Sequence, residues 1–208
     1  MIDFDDTPAS VSVRITNDQY KAVADSINVP VAALRAVVAV ESSGSGFDSD
    51  GRPKALFERH IFFKLLAADP SKQAHAVDEG LAYPKWGMKP YPKNSDGVYE
   101  EINSAMKIDE DAALKSASWG LGQIMGNNYA MLGYKTVQDM VNDARLDEHH
   151  QIQQMAKFIK ASGLDGALRK SDWAAFAKGY NGPGYAKNAY DEKLATNYSR
   201  FSAGSVIS

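Results

Sequence analysis

The chain has 208 residues, of which 44% are hydrophobic and 24% charged, with 23 Lys and Arg against 26 Asp and Glu and no Cys. This length predicts one domain, and the apolar fraction is that of a folded chain rather than a disordered one. A formal net charge of −3 leaves no basic surplus for nucleic-acid binding, and the lack of Cys excludes disulfides, thiolate zinc sites and cysteine nucleophiles.

The N-terminal segment is acidic and of mixed polarity. We interpret residues 1–16 as a lead-in segment and residues 17–208 as the single folded domain. A secretory signal would begin with basic residues and continue into an apolar stretch, whereas the first six residues of this chain are three apolar and three acidic ones. The longest apolar run, residues 29–40, contains Pro30 and Arg35 and is too short to span a bilayer. The sequence therefore predicts synthesis in the cytoplasm and no stable membrane insertion.

Two helices are predicted at the start of the domain. Thr16 or Asn17 can cap the first, which runs to about Ile27 with apolar residues on one face. Pro30 suits the first turn of a second helix, which is apolar on nearly all sides and ends at Glu41. A helix of that composition is a central, buried one.

One short β element is predicted after these helices. Residues 48–51 form a turn signal and residues 55–58 have an extended pattern, so a small β-hairpin fits near residues 47–60. Residues 83–97, rich in Pro, Gly and aromatic residues, are predicted to be an ordered loop. Helices are predicted over residues 61–68, 98–107, 109–116, 118–132, 136–145, 147–162, 172–180 and 187–201. The expected fold class is mainly α: a helical single domain with the small β-hairpin inserted.

Glu41 is the first candidate for chemistry. At the C-terminal end of the most apolar helix, the helix dipole and a low dielectric both disfavour an ionised carboxylate. Both effects should raise its pKa, as a general acid working near neutral pH requires. The alternative is a solvated residue on a helix that only looks buried.

Glu58 is the second candidate carboxylate. A pair of carboxylates, one acting as acid and the other as base or nucleophile, is the minimum equipment for hydrolysing a glycosidic bond. Asp48 and Asp50 could also supply the second group, although turn formation is sufficient to explain both. The alternative for Glu58 is an ion pair with Arg59 or Arg52.

Two further segments suggest a ligand cleft. Residues 118–126 are rich in glycine but lack the spacing and context of a dinucleotide loop. We interpret them as a helix start where small residues let a ligand approach the backbone, with the Gln123 amide directed into the opening. Tyr180 and Asn181, at a Gly-Pro turn, combine an apolar ring with an amide, as a sugar site requires, and the alternative is a plain helix cap. The four His have no metal-ligand spacing, so no metal and no cofactor are expected.

The order of these segments resembles the lysozyme superfamily. Residues 41–42 (Glu-Ser), 120–123 (Gly-Leu-Gly-Gln) and 179–184 (Gly-Tyr-Asn-Gly-Pro-Gly) are similar to the E-S, G-L-M-Q and A-Y-N signatures of goose-type lysozymes and lytic transglycosylases. Gly122 stands where the transglycosylase signature has Met, and Gly179 where it has Ala. The first departure enlarges the cleft floor and favours the hydrolases over the transglycosylases.

A closer resemblance is to the N-acetylmuramidase family of phage endolysins. It rests on residues 39–47 and 51–60 and extends over about residues 17–201. Members of that family cut the β-1,4 bond between N-acetylmuramic acid and N-acetylglucosamine. The resemblance therefore implies an α+β lysozyme-like fold and a glycoside hydrolase that degrades bacterial peptidoglycan.

The resemblance also implies roles for single residues and partners. Glu41 becomes the general acid that protonates the leaving oxygen, and Glu58 its partner, as base for the attacking water or as an electrostatic stabiliser. Substrate-binding roles carry over to Ser42, Gln123, Tyr180 and Asn181. The enzyme is expected to be a monomer that acts on peptidoglycan in the periplasm, after a holin or another export partner has permeabilised the membrane.

Two other functions stay open on sequence grounds. A lytic transglycosylase would keep the fold, need one carboxylate and release 1,6-anhydro products. A wall-binding or phage structural module would keep the fold without catalysis, although an unused buried carboxylate at Glu41 would cost stability. Glu58 discriminates between the first alternative and a hydrolase, because only the two-carboxylate mechanism requires it.

Overall fold

The computed structural model describes residues 2–4, 15–41 and 44–204. In these ranges the chain forms ten α-helices and one small sheet. The helices are α1 (Asn17–Ser26), α2 (Val31–Glu41), α3 (Arg59–Leu65), α4 (Pro70–Asp78), α5 (Ser95–Lys115), α6 (Val137–Ala144), α7 (Glu148–Ala161), α8 (Asp165–Arg169), α9 (Trp173–Asn181) and α10 (Tyr190–Gly204). The strands are β1 (Ala55–Phe57), β2 (Ala117–Trp119) and β3 (Ile124–Met125). The expected mainly α fold with a small β element is confirmed.

Helix α2 is a central helix of the core. The preceding α1 begins with a capping box formed by Thr16 and Gln19, and Pro30 stands directly before α2. Four side chains of α2 have no exposed surface: Ala33, Leu34, Ala36 and Val37. No single helix in the described ranges is long and apolar enough to cross a membrane, and α1 and α2 pass that test only together, across a bend of 106°.

The three strands form one antiparallel sheet in the order β1-β2-β3. Strand β1 pairs with β2, in a register that places Phe57 opposite Ala117. The predicted hairpin is therefore wrong in its partner strand. The turn that precedes β1 does form, but it is closed by a single antiparallel bridge between Phe47 and Pro53. A three-residue strand has too little local pattern to specify a partner that comes much later in the chain.

The helix predicted over residues 118–132 is wrong. These residues form the end of β2, a tight turn, β3 and a short 3₁₀ turn. Gly120 has a φ of +66°, in the left-handed region that favours glycine. Gly126 lies so close to α5 that a Cβ there would be 2.1 Å from the carbonyl oxygen of Leu114. Glycines lower the helix propensity of this segment, and they also permit the turn and the close approach to α5.

The helices that follow β1 differ from prediction in detail. Helix α4 was missed, although Pro70 at its first turn and Asp69 as its N-cap are standard start signals. Helix α5 joins the two helices predicted there into one and begins earlier, after the N-cap residue Asn94. The break between the two is retained as a kink at Asp109, where φ is −159° and ψ is 104°.

The core consists of two clusters of buried side chains. One surrounds the sheet and α5, and the other surrounds α2, α7 and α9. Ile2 and Phe4, from the predicted lead-in segment, are buried in the first cluster, where Phe4 stacks on Trp119 with ring centroids 5.5 Å apart. Tyr180 packs against both clusters, so it lies at the boundary between the two halves of the core.

Candidate active site

A cleft of about 450 Å³ opens between the end of α2, strand β1, the start of α5 and the β2–β3 turn. That volume lies in the usual range of small-molecule sites. Its apolar lining includes Leu56 and Val98. The polar side chains that line it are Glu41, Ser45, Asp48, Lys54, Lys93, Asn94, Ser95 and Gln123. The cleft therefore offers one apolar wall and a polar rim, which suits a carbohydrate chain.

Glu41 enters this cleft as the last residue of α2. Asn181, the last residue of α9, donates a hydrogen bond from Nδ2 to Oε1 of Glu41 over 2.8 Å. Burial raises the pKa of the Glu41 carboxyl, and the hydrogen bond from Asn181 lowers it by a smaller amount. Glu41 is thus a partly buried carboxyl whose protonated form persists to higher pH than that of an exposed Glu.

Tyr180 lies beside Glu41 but does not present its ring at the mouth of the cleft. The ring packs between Phe158 and Phe176, with both ring centroids 5.3 Å away. The hydroxyl donates to the carbonyl oxygen of Gly122 over 2.8 Å. Burial, together with the negative charge of Glu41, raises the pKa of Tyr180 well above its usual range. Tyr180 therefore ties α9, and with it Asn181, to the β2–β3 turn.

Gln123 lines the cleft, but its amide is occupied by the protein. Nε2 donates to the carbonyl oxygens of Gly120 and Lys54 over 2.9 and 3.3 Å. Oε1 accepts from Oγ of Ser118 over 2.9 Å. Its backbone φ is +47°, so the tight turn itself directs the side chain back over the backbone. Gln123 holds the β2–β3 turn to the segment that leads into β1.

Glu58 lies outside the cleft that holds Glu41. It is the N-cap residue of α3 and lines a small separate cavity with Trp86 and Tyr91. The Tyr91 hydroxyl donates to Oε2 of Glu58 over 2.8 Å, and Nδ1 of His60 is 3.2 Å from the same oxygen. Burial, reinforced by Glu58, raises the pKa of Tyr91 to about 12. Glu41 and Gln123 therefore line the cleft, Asn181 and Tyr180 bond Glu41 and the β2–β3 turn, respectively, and Glu58 lines a different cavity.

Ser42 and the two ion pairs suggested for Glu58 are the remaining predictions about the site. Ser42 lies outside the described residues. Neither suggested ion pair of Glu58 is found, because Arg59 binds Glu101 over 2.6 Å and Arg52 binds Asp48 over 2.8 Å. Arg59 also donates to two backbone carbonyls of the loop before α5. Arg59 therefore anchors the loop that forms one rim of the cleft.

Asp48 is the second carboxylate that lines the cleft. Its Oδ1 accepts the backbone N–H groups of Asp50 and Arg52 over 3.0 and 2.9 Å, which is the predicted turn chemistry. Its Oδ2 accepts from Ser95 and from Nε of Arg52. Burial opposes ionisation of Asp48, but the hydrogen bonds from Ser95 and Arg52 outweigh it and lower its pKa. Asp48 is therefore held ionised and fully bonded.

Five polar cleft residues were not singled out from the sequence: Ser45, Lys54, Lys93, Asn94 and Ser95. Asn94 was recognisable as a helix cap, because its side chain accepts the Gly97 N–H over 3.1 Å and the residue directly precedes α5. The two lysines belong to no local motif, and only the fold brings them to the same rim. They give the cleft a positive edge suited to an acidic polymer.

Two buried side chains of α7 hold the backbone segments that frame the cleft. Oε1 of Glu148 accepts the Gly46 N–H over 2.9 Å, and Oε1 of Gln151 accepts the Leu121 N–H over 2.8 Å. Gln151 also donates to the carbonyl oxygen of Ala144. A Cβ at position 46 would lie 1.8 Å from Oε1 of Gln151, so this arrangement requires glycine there. In the described part of the chain, no three His, Cys, Asp or Glu form a group that could hold a metal ion.

Fold and site together define a glycoside hydrolase of the lysozyme type. The model of the N-acetylmuramidase family matches residues 30–202. The chain is also similar to a solved structure titled "Crystal structure of Burkholderia AP3 phage endolysin", with a TM-score of 0.83 and 38% sequence identity over 92% of this chain and 72% of that one. No curated protein matches. The chain belongs to the N-acetylmuramidase family and is a peptidoglycan-degrading enzyme of the phage-endolysin type.

Proposed function

We propose that this muramidase cleaves the β-1,4 bond between N-acetylmuramic acid and N-acetylglucosamine with Glu41 as its general acid. One observation carries the proposal: among the described cleft residues, Glu41 is the one carboxylate that no cation neutralises, and burial raises its pKa. Asp48, the other cleft carboxylate, is bonded to Arg52 and Ser95. A group that donates a proton near neutral pH needs the environment of Glu41, which favours the protonated carboxyl, and not that of Asp48.

The proposed reaction uses Glu41 twice. Its proton moves to the glycosidic oxygen as the bond to the anomeric carbon breaks, which leaves an oxocarbenium-like sugar. A water oxygen then bonds to the anomeric carbon, and the proton that it releases returns to the Glu41 carboxylate. Asn181 donates to Oε1 of Glu41 and stabilises the carboxylate between the two steps. Tyr180 keeps Asn181 in place through its bond to the β2–β3 turn.

A second candidate reaction follows from the same single carboxylate. In a lytic transglycosylase, the 6-hydroxyl of the muramic acid takes the place of water and gives a 1,6-anhydro end. Mass spectrometry of the saccharides released from purified peptidoglycan separates the two reactions. We expect reducing N-acetylmuramic acid ends. Anhydro ends would show that the reaction is transglycosylation and not hydrolysis. A folded protein that releases no saccharide would contradict both reactions.

The route to the substrate is part of the proposal. We infer that the enzyme is made in the cytoplasm, works as a monomer and reaches peptidoglycan in the periplasm after a holin or another export partner has permeabilised the membrane. This is supported by its similarity to a phage endolysin.

Substituting Glu58→Gln tests the role first predicted for the second carboxylate. We expect turnover near that of the unsubstituted enzyme, because Glu58 lines a different cavity from Glu41. The free energy of unfolding should fall by about 1 kcal/mol, since the amide accepts the Tyr91 hydroxyl less strongly than a carboxylate does. Tyr91→Phe, which removes the same hydrogen bond, is the matched control. A loss of turnover of about 10²-fold in Glu58→Gln alone would establish the two-carboxylate mechanism.

Substituting Asn181→Ala tests the acid role of Glu41 through pH. Activity needs protonated Glu41, so it is fully present below the folded-state pKa and is lost as pH rises through it. Asn181 stabilises the carboxylate, so its removal raises the pKa of Glu41 further and moves the alkaline limb of the kcat/KM profile to higher pH. Asn197→Ala, in α10 and outside the cleft lining, should leave the limb in place. If the alkaline limb of Asn181→Ala stays in place or moves to lower pH, Glu41 is not the group whose titration sets that limb.

A further inference from the structure

A second cavity adjoins the catalytic cleft. It has a volume of about 490 Å³ and is formed by α1, α2, α10 and the start of α7. Gly44 and Leu121 line this cavity, whereas their chain neighbours Ser45 and Gly120 line the cleft. The same two backbone segments therefore line both cavities, which lie side by side.

Two guanidinium groups line this cavity. Those of Arg35 and Arg200 lie over the same Phe201 ring, at 5.9 and 4.6 Å from its centroid. Among the described residues, Arg35 bonds the Asn17 side chain, and neither arginine forms an ion pair with a carboxylate. Nε of Arg35 is buried without a hydrogen-bond partner. Two cations that line one cavity and form no ion pair of their own favour an anionic ligand there.

A buried carboxylate completes the charge pattern. Glu148 lines the same cavity, is 6% exposed, and uses Oε1 to accept the Gly46 N–H. The cavity, which we call the arginine pocket, thus presents two cations and one anion. Its chemical complement is a ligand with carboxylates and an ammonium group. A simple anion would match the arginines but not Glu148.

We propose that the arginine pocket binds the acidic peptide stem that N-acetylmuramic acid carries in peptidoglycan. Stem carboxylates face Arg35 and Arg200, and a free ammonium of a diamino acid in the stem faces Glu148. The inference rests on the proposed function, because the stem is attached to the sugar next to the scissile bond. It adds a specificity site: the enzyme recognises the peptide-bearing sugar and not only the glycan chain.

The test compares two substrates: peptidoglycan that keeps its stems, and glycan strands stripped of them by an amidase. Arg200 is an exposed residue of α10, so Arg200→Gln should fold normally. We expect this variant to lose about tenfold in kcat/KM on the first substrate, through KM, which corresponds to one charge-assisted hydrogen bond. On stripped strands it should match the unsubstituted enzyme. Lys64→Gln, an exposed cation of α3, removes the same charge outside the pocket and should change neither rate.

The outcomes separate this inference from the proposed function. If the unsubstituted enzyme releases no saccharide from intact peptidoglycan, the proposed function fails. If it does, but Arg200→Gln changes the rates on both substrates equally or on neither, the arginine pocket does not read the stem. Calorimetry with the free stem peptide and with inorganic phosphate supplies the direct test. Tighter binding of the peptide, weakened by Arg200→Gln, is expected, and equal binding of phosphate would reduce the pocket to a general anion site.

Discussion

Substituting Glu41→Gln is expected to lower the release of saccharide from purified peptidoglycan by about 10²- to 10⁴-fold, the usual contribution of a general acid. Gln keeps the size of the side chain and can still accept the Asn181 hydrogen bond, but it has no proton to give to the leaving oxygen. The thermal midpoint should stay the same or rise slightly, because a partly buried carboxylate is costly to ionise. Initial rates of reducing-end formation, measured with circular dichroism as a check of folding, provide the test.

Glu79→Gln is the matched control for this substitution. Glu79 stands at the end of α4 with its side chain 60% exposed and does not line the cleft. The same change of charge and shape at this position should leave the rate unchanged. A folded Glu41→Gln protein that still releases saccharide at a comparable rate would remove Glu41 from the mechanism and leave the cleft without its proton donor.

The second large effect concerns stability. Substituting Phe4→Ala should lower the free energy of unfolding by about 3–5 kcal/mol, the range for deleting a buried aromatic ring. Phe4 is 1% exposed and contacts the rings of Trp119 and Tyr99 with centroids 5.5 and 5.0 Å away. The cavity left behind would open directly under β2, and rigid surroundings would not fill it. Urea unfolding followed by the fluorescence of the three Trp residues measures the change.

Leu65→Ala serves as the control for Phe4→Ala. Leu65 is a large hydrophobic residue at the end of α3 that is 40% exposed, so its truncation should cost less than about 1 kcal/mol. If Phe4→Ala cost no more than this control, the N-terminal residues would contribute nothing to the core. The first residues of the chain would then be a simple extension of the domain, and the ring contacts of Phe4 would add no stability.

Helix α2, the cap of α1 and the turn at Asp48 could be predicted from the sequence, because each depends on residues that are near neighbours along the chain. The buried helix α2 and the cap of α1 follow from hydrophobic periodicity and from a capping box that spans three residues. The turn that begins at Asp48 follows from the affinity of an Asp side chain for the next backbone N–H groups. The placement of Glu41 at the end of the core helix belongs to this group, whereas the burial that raises its pKa is provided by the tertiary structure.

Only the tertiary structure decided the features that depend on distant partners. Strand β1 pairs with β2 and not with its near neighbour, because three residues carry no periodic signal and the pairing partner is buried far along the chain. The hydrogen-bond partners of Glu58 and Gln123 were also decided by the fold: Tyr91 donates to the first, and two backbone carbonyls accept from the second. These partners come from segments that no local pattern links to Glu58 or Gln123, so only the fold determines which of their polar atoms are already bonded.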